Sequence, residues 1–171
     1  NKALQQALNP EADQKQEKNY GEQIFRQGDR VMQIKNDYDI FWEKEETHEH
    51  GTGIFNGEIG RVDRIDEEAK QIKIVFDDGK VAWYLYTQLE ELEHAYAITI
   101  HKAQGSEFSV VILVIPPVSP MLLTRNLLYT ALTRAKKMLV IIGSSKLIEF
   151  MIQNTDSKTR NTGLKHQLQK S

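Results

Sequence analysis

The stretch Gln71–Tyr86, QIKIVFDDGKVAWYLY, decides how the first half of this chain folds. Ile72, Ile74 and Phe76 alternate with Gln71, Lys73 and Val75, the period-two pattern of a strand with one more apolar face. Asp78-Gly79 follows, a dipeptide suited to the positive backbone angles of a tight hairpin, and KVAWYLY resumes as a second strand. Outward from this hairpin, GDRVMQI (28–34) and GEIGRVDRI (57–65) read as further strands, with Asn56-Gly57 another turn signal. Several short strands between Phe25 and Leu92 predict a small β-barrel. Residues 43–53 inside it are acidic and aperiodic, and predict an exposed loop. His48 and His50 lie there among glutamates, but no second ligand cluster accompanies them, so no metal site is assigned.

The second half follows a different rhythm. AYAITI (95–100) predicts a strand, and Val110–Ile115 is a continuous apolar run, the mark of a parallel strand buried on both faces. Pro116-Pro117 breaks the chain; Thr124–Lys137 predicts a helix with Leu127, Leu128, Ala131 and Ala135 on one side. Leu139–Ile142 predicts another buried strand, stopped by Gly143, and Ser144 caps a helix running to about Ile152. Strand–helix–strand–helix order defines an α/β sheet with right-handed crossovers. Residues 1–23 are polar, with Leu4, Ala7 and Leu8 at helical spacing and Pro10 ending the segment. A chain opening inside a helix without a start methionine reads as a piece of a longer protein.

Composition narrows the class. The 171 residues are 40% hydrophobic and 27% charged, ordinary for a globular protein, and contain no cysteine, which excludes disulfide scaffolds and thiolate metal sites. The longest apolar run is far short of a membrane span. The net charge of -2 is a cancellation: residues 1–124 carry 13 Lys/Arg against 22 Asp/Glu, and residues 125–171 carry 9 against 2. Such asymmetry points the basic end toward a polyanion, the alternative being a solvated basic surface.

Chemistry concentrates in two segments. A phosphate-cradling P-loop needs GxxxxGK followed by Ser or Thr; the only Gly-Lys pair here, Gly79-Lys80, precedes Val81 in a hairpin. No Ser/His/Asp signature and no acidic strand end suited to Mg²⁺ is visible either. AITIHKAQGSEF (97–108) instead ends a predicted strand in Thr99, His101 and Lys102, then turns through Gln104 and Gly105 to Glu107. Ligands bind at strand carboxyl ends in open α/β sheets, and these side chains suit phosphate oxygens; the plainer reading is a polar connection capping a helix. NLLYTALTRAKKML (126–139) leaves Thr130, Thr133, Arg134 and Lys137 off its apolar side. Arg134 either closes a salt bridge or presents its two parallel N–H bonds to a phosphate.

Together these segments resemble motifs V and VI of superfamily 1 helicases, and the wording HKAQGSEF is similar to the RecD-like and TraA-like branch. FRQGDRVMQIKNDYD (25–39), IFNGEIGRV (54–62) and TRNTGLKHQL (159–168) resemble RecD-like DNA helicases too. The resemblance implies a partial RecA-like parallel-sheet domain of the P-loop NTPase type, residues 1–24 and 93–171, lacking its first strand. Residues 25–92 would be an inserted SH3-like barrel. It implies that Arg134 is the arginine finger toward the γ-phosphate of ATP, and that Gly105 and Glu107 lie by the nucleotide. Thr99 and His101 would contact single-stranded DNA, with Lys102 and Gln104 beside them. Asn1–Pro10 resembles the helix around motif IV. ATP and Mg²⁺ would be held mainly by a first RecA-like domain of the same chain, carrying the Walker motifs that this stretch lacks; alone, this stretch should be inactive.

The whole would be a cytoplasmic, bacterial, ATP-dependent DNA helicase acting on single strands and duplex junctions, 5′ to 3′ by resemblance, in DNA repair or recombination. Neither a membrane nor a particular oligomer is implied. Two alternatives stay open: the helicase part of a conjugative relaxase, and a non-catalytic nucleic-acid or protein-binding module built on the barrel. Against the nucleic-acid form of the latter stands acidity, with 9 Lys/Arg and 16 Asp/Glu between Phe25 and Leu92. Arg61, Arg64, Trp83 and Tyr84 are the barrel's candidate DNA contacts, with Trp83 read foremost as a core residue.

Overall fold

A computed structural model describes residues 1–155. They form two compact units, one running to Lys102 and one starting at Ala103. In the first unit, helix α1 (Lys2–Leu8) precedes a two-stranded antiparallel ribbon, β1 (Glu17–Tyr20) and β2 (Gln23–Arg26). A curled antiparallel sheet follows, built from β3 (Arg30–Gln33), β4 (Asp37–Lys44), β5 (His50–Ile54), β6 (Ile59–Asp66), β7 (Gln71–Phe76), β8 (Lys80–Leu85) and β9 (Leu92–His94). Its order is β5-β4-β8-β7-β6-β3-β9, so the sheet is an SH3-like half-barrel.

The central hairpin forms as its alternation requires. Ile72 pairs with Tyr84 and Ile74 with Ala82, and all four face a core shared with Phe25, Val31, Ile54, Val62, Ile65 and Leu92. Gly79 takes φ +85° at the turn, which an L-residue adopts only under strain. The same register places Trp83 opposite Lys73 on the other face, so Trp83 is 40% exposed rather than a core residue. Tyr84, by contrast, is fully buried and donates its hydroxyl to Gln33 Oε1 at 3.0 Å, which removes it from the candidate DNA contacts. Residues 43–53 are not a loop throughout. Glu43 and Lys44 finish β4 and His50–Gly53 begin β5, because Trp42 pairs with Gly51 and its ring lies over that glycine.

The second unit pairs β10 (Phe108–Val114) with β11 (Ala135–Ile142) in parallel. Helix α2 (Arg125–Leu132) makes the crossover, and α3 (Ser145–Gln153) follows β11. Thr124 caps α2 by accepting the Leu127 N–H, and Ser144 stands at the N-cap of α3. The expected α/β order therefore holds, with three corrections. Residues 95–107 form turns, not a strand: Ala97 donates its N–H to the Asn1 side chain instead of a sheet ladder. The helix expected to reach Lys137 ends at Leu132, because Ala135 and Met138 are taken into register with Phe108 and Val110. Finally, β10 is not buried on both faces; Leu113 is buried, while Val110, Ile112 and Val114 are exposed, since β11 is its one partner strand among the described residues. The basic stretch from Ser157 onward, including TRNTGLKHQL, lies outside the described residues.

Gly60 has no room for a side chain. It pairs with Val31 on one side and Phe76 on the other, and a Cβ there would sit 2.7 Å from the Val75 carbonyl oxygen. Gly60→Ala should therefore destabilise the first unit by about 1–3 kcal/mol, read as a lowered urea midpoint at unchanged slope. Unchanged stability would mean the sheet is looser there than its register implies.

Candidate functional site

In the second unit, the chain leaves α2 through Thr133 and Arg134 and enters β11. This exit turn lies against the segment that enters β10. The Phe108 N–H donates to the Arg134 carbonyl at 2.8 Å, and Arg134 Nη1 donates to the Ser106 carbonyl at 2.9 Å. Arg134 Nε reaches the Thr130 carbonyl at 3.2 Å, and Nη2 the Thr133 hydroxyl at 3.1 Å. Every acceptor is neutral, and Arg134 forms no ion pair among the described residues. Glu107 pairs instead with Lys136 at 3.0 Å; that hydrogen bond and charge, with a smaller contribution from Arg134, lower the carboxyl below its ordinary range. Gly105 adopts φ +86° with open space where a side chain would be. The structure thus brings Gly105, Glu107 and Arg134 together. Gln104 is exposed in the same segment.

Thr99, His101 and Lys102 belong to the first unit. Thr99 Oγ1 accepts the Lys102 N–H at 3.3 Å, and the Lys102 ammonium is held by Glu93. These residues border a small cleft with Asn1, Met32 and His94, whereas His101 is exposed. The lysine expected at a DNA phosphate is therefore already ion-paired. Of the barrel arginines, Arg61 reaches the Gly28 carbonyl at 3.3 Å and Arg64 lies 3.7 Å from Asp66.

Sequence reasoning missed the buried hub of the first unit. Asp29, with no exposed surface, accepts from Gln5 Nε2 at 2.6 Å, Asn9 Nδ2 at 2.7 Å, the Arg26 N–H at 2.7 Å and the Tyr96 hydroxyl at 2.8 Å. His94 Nε2 lies 3.2 Å away. Burial raises the carboxyl's pKa, but the bonds from His94, Asn9, Tyr96 and Arg26 outweigh it and hold the group below its ordinary value. Burial, then Asp29 itself, pushes Tyr96 up to about 12. One carboxylate thus joins α1, the β2–β3 turn and the chain leaving β9. The available signal was an Asp after Gly28 between two apolar strands, a turn-forming pair that says nothing of distant donors.

Comparisons with known proteins agree with this anatomy. Residues 1–76 match the ATP-dependent RecD-like DNA helicase SH3 domain, and residues 94–142 match the UvrD-like helicase C-terminal domain. The chain thus carries two helicase domain types, a RecD-like SH3 domain and a UvrD-like C-terminal domain, and is similar to the RecD-like helicases. It is 36% identical over 139 residues to the ATP-dependent RecD2 DNA helicase of Deinococcus radiodurans, covering 81% of this chain and 17% of that one. It is 38% identical over 150 residues to an uncharacterized protein of Methanocaldococcus jannaschii, covering 80% of this chain and 12% of that one. The chain thus spans less than a fifth of these relatives. In fold it is similar to a Bacteroides Pif1 helicase crystallised with ADP-AlF3 and single-stranded DNA, at 20% identity and a TM-score of 0.51, over 87% of this chain and 41% of that one. No described helix is long and apolar enough to cross a membrane, and the described residues contain no group of three metal-ligating side chains.

Because the folded pKa of Asp29 is depressed, its contribution to stability is fully present above the ordinary value of 3.8 and is lost as pH falls through the folded value. Asp29→Asn should cost about 1–3 kcal/mol at neutral pH and flatten the acid limb of a stability profile, since the remaining amide satisfies fewer donors. A variant with the wild-type acid limb would remove Asp29 from the account.

Proposed function

We propose that the full-length protein is an ATP-dependent DNA helicase and that this stretch supplies the second wall of its ATP cleft and part of its single-strand track. The carrying observation is the turn that presents Arg134 beside Gly105 and Glu107 with the guanidinium in no ion pair among the described residues. An arginine whose N–H groups rest on neutral oxygens can exchange those bonds for phosphate oxygens at little electrostatic cost. On this reading Arg134 stabilises charge on the γ-phosphate as the bond to it breaks. Glu107, kept ionised beside Lys136, accepts hydrogen bonds at the nucleotide's edge, and Gly105 admits close backbone approach.

ATP would supply the γ-phosphoryl group that passes to water as ADP leaves, and Mg²⁺ the countercharge, both held mainly by a first RecA-like domain. The domain reading goes with this: residues 1–24 and 93–171 form the second RecA-like domain, and residues 25–92 are its SH3-like insertion. Thr99, His101, Lys102 and Gln104 face the strand. Lys102 then reaches a phosphate by giving up Glu93, so DNA engagement exchanges one ion pair for another. The work is cytoplasmic, on single strands and duplex junctions, moving 5′ to 3′.

In the full-length protein, Arg134→Ala should lower ATP turnover by about 10³-fold or more while leaving single-stranded DNA affinity within a few-fold. Unchanged ATPase would sink the assignment. Lys102→Ala should weaken DNA binding by the same factor for every sequence and lower the log–log salt slope by about one. A salt slope that does not move would place Lys102 off the track.

A further inference from the structure

The outer face of the antiparallel sheet carries an apolar strip that the proposed activity does not use. Phe41 on β4 is 55% exposed, and Trp83 and Leu85 on β8 are 40% and 46% exposed. The register that pairs Trp42 with Ala82 makes Phe41 and Trp83 neighbours on the opposite face. Glu43 shares that face with Phe41, is exposed, and forms no ion pair among the described residues; Asp39 and Glu46 are likewise exposed and unpaired. Of the nearby basic groups, Lys44 pairs with Glu49 at 3.2 Å, Lys73 with Glu45 and Asp63 at 2.9 and 3.3 Å, and Arg64 lies 3.7 Å from Asp66, while Lys70 is exposed without an ion pair among the described residues. A shallow depression lined by Phe41, Glu43, Lys44, Glu45, His48 and His50 adjoins the strip.

Exposed aromatic rings set among unpaired carboxylates select a cationic visitor. A phosphodiester would meet the unpaired carboxylates of Asp39, Glu43 and Glu46, which Lys70 beside Leu85 offsets only in part, whereas a guanidinium gains both the ring faces and the carboxylates. We propose that this face docks a segment of a partner protein in which Arg or Lys alternate with aliphatic or aromatic residues. The aliphatic side chains lie on Phe41, Trp83 and Leu85, and the cations reach Glu43 and its acidic neighbours. The docking uses neither Arg134 nor Thr99, His101, Lys102 and Gln104, so it stands apart from the ATPase reading.

The test is fluorescence anisotropy on the whole chain with three labelled probes: a short peptide alternating Arg with Leu and Phe, its Glu-for-Arg counterpart, and an oligo-dT strand. The basic peptide should bind in a salt-sensitive manner and the acidic one should not. Phe41→Ala, Trp83→Ala and Glu43→Lys should each weaken binding about tenfold, with melting curves confirming that each variant folds. Should Trp83→Ala fail to fold, Phe41→Ala and Glu43→Lys carry the test. Absence of basic-peptide binding, binding indifferent to these substitutions, or oligo-dT binding that these substitutions abolish would each overturn the proposal.

Discussion

The buried carboxylate of Asp29 is the constraint on which the first unit depends. An ionised group without exposed surface is tolerable only when its oxygens are filled, and here five groups from three separate stretches of chain supply that. Gln5 and Asn9 come from the amino-terminal segment, Arg26 from the end of β2, and His94 and Tyr96 from the end of β9 and the chain that leaves it. Removing any one leaves a desolvated charge less satisfied, so each donor holds the others in place. The segments that lead into and out of the barrel are thereby tied at one point. Tyr96 stands three residues before Thr99, so the hub also fixes where the proposed strand-contact stretch begins.

Much of the barrel was legible in its residues. The QIKIVF alternation, the Asp78-Gly79 turn and the flanking strands all appear where their periodicity puts them, because side-chain period and turn chemistry are local properties. Trp83 was not legible. An aromatic residue in an apolar run reads as core, and only the pairing of Ile72 with Tyr84 reveals that it faces outward. The acidic 43–53 stretch hid a hairpin for a related reason: its pairing depends on Trp42 covering Gly51, a contact between strands that no periodicity encodes.

The second unit shows the same division. The apolar runs at Val110–Ile115 and Leu139–Ile142 marked both parallel strands, but β11 begins earlier than its apolar residues do. Ala135, Lys136 and Lys137 join it because β10 offers a ladder there. That early start moves Arg134 from a helix into an exit turn. The move matters chemically, since the turn is what lays the guanidinium on the Ser106 carbonyl, outside any ion pair among the described residues. The proximity of the two motif segments was expected from the family resemblance; the hydrogen bonds that create it were not. At AYAITI the failure was tertiary: β-branched and aromatic residues favour a strand, yet Asn1 takes the Ala97 N–H and Asp29 takes the Tyr96 hydroxyl.

The central claim is that the Arg134 turn closes an ATP cleft. It is tested most directly by a structure of the full-length protein with ADP, aluminium fluoride and a single strand. The account predicts the Arg134 guanidinium within hydrogen-bonding distance of the fluoride, its bond to the Ser106 carbonyl broken. An Arg134 still resting on Ser106, with another cation at the fluoride, would contradict it.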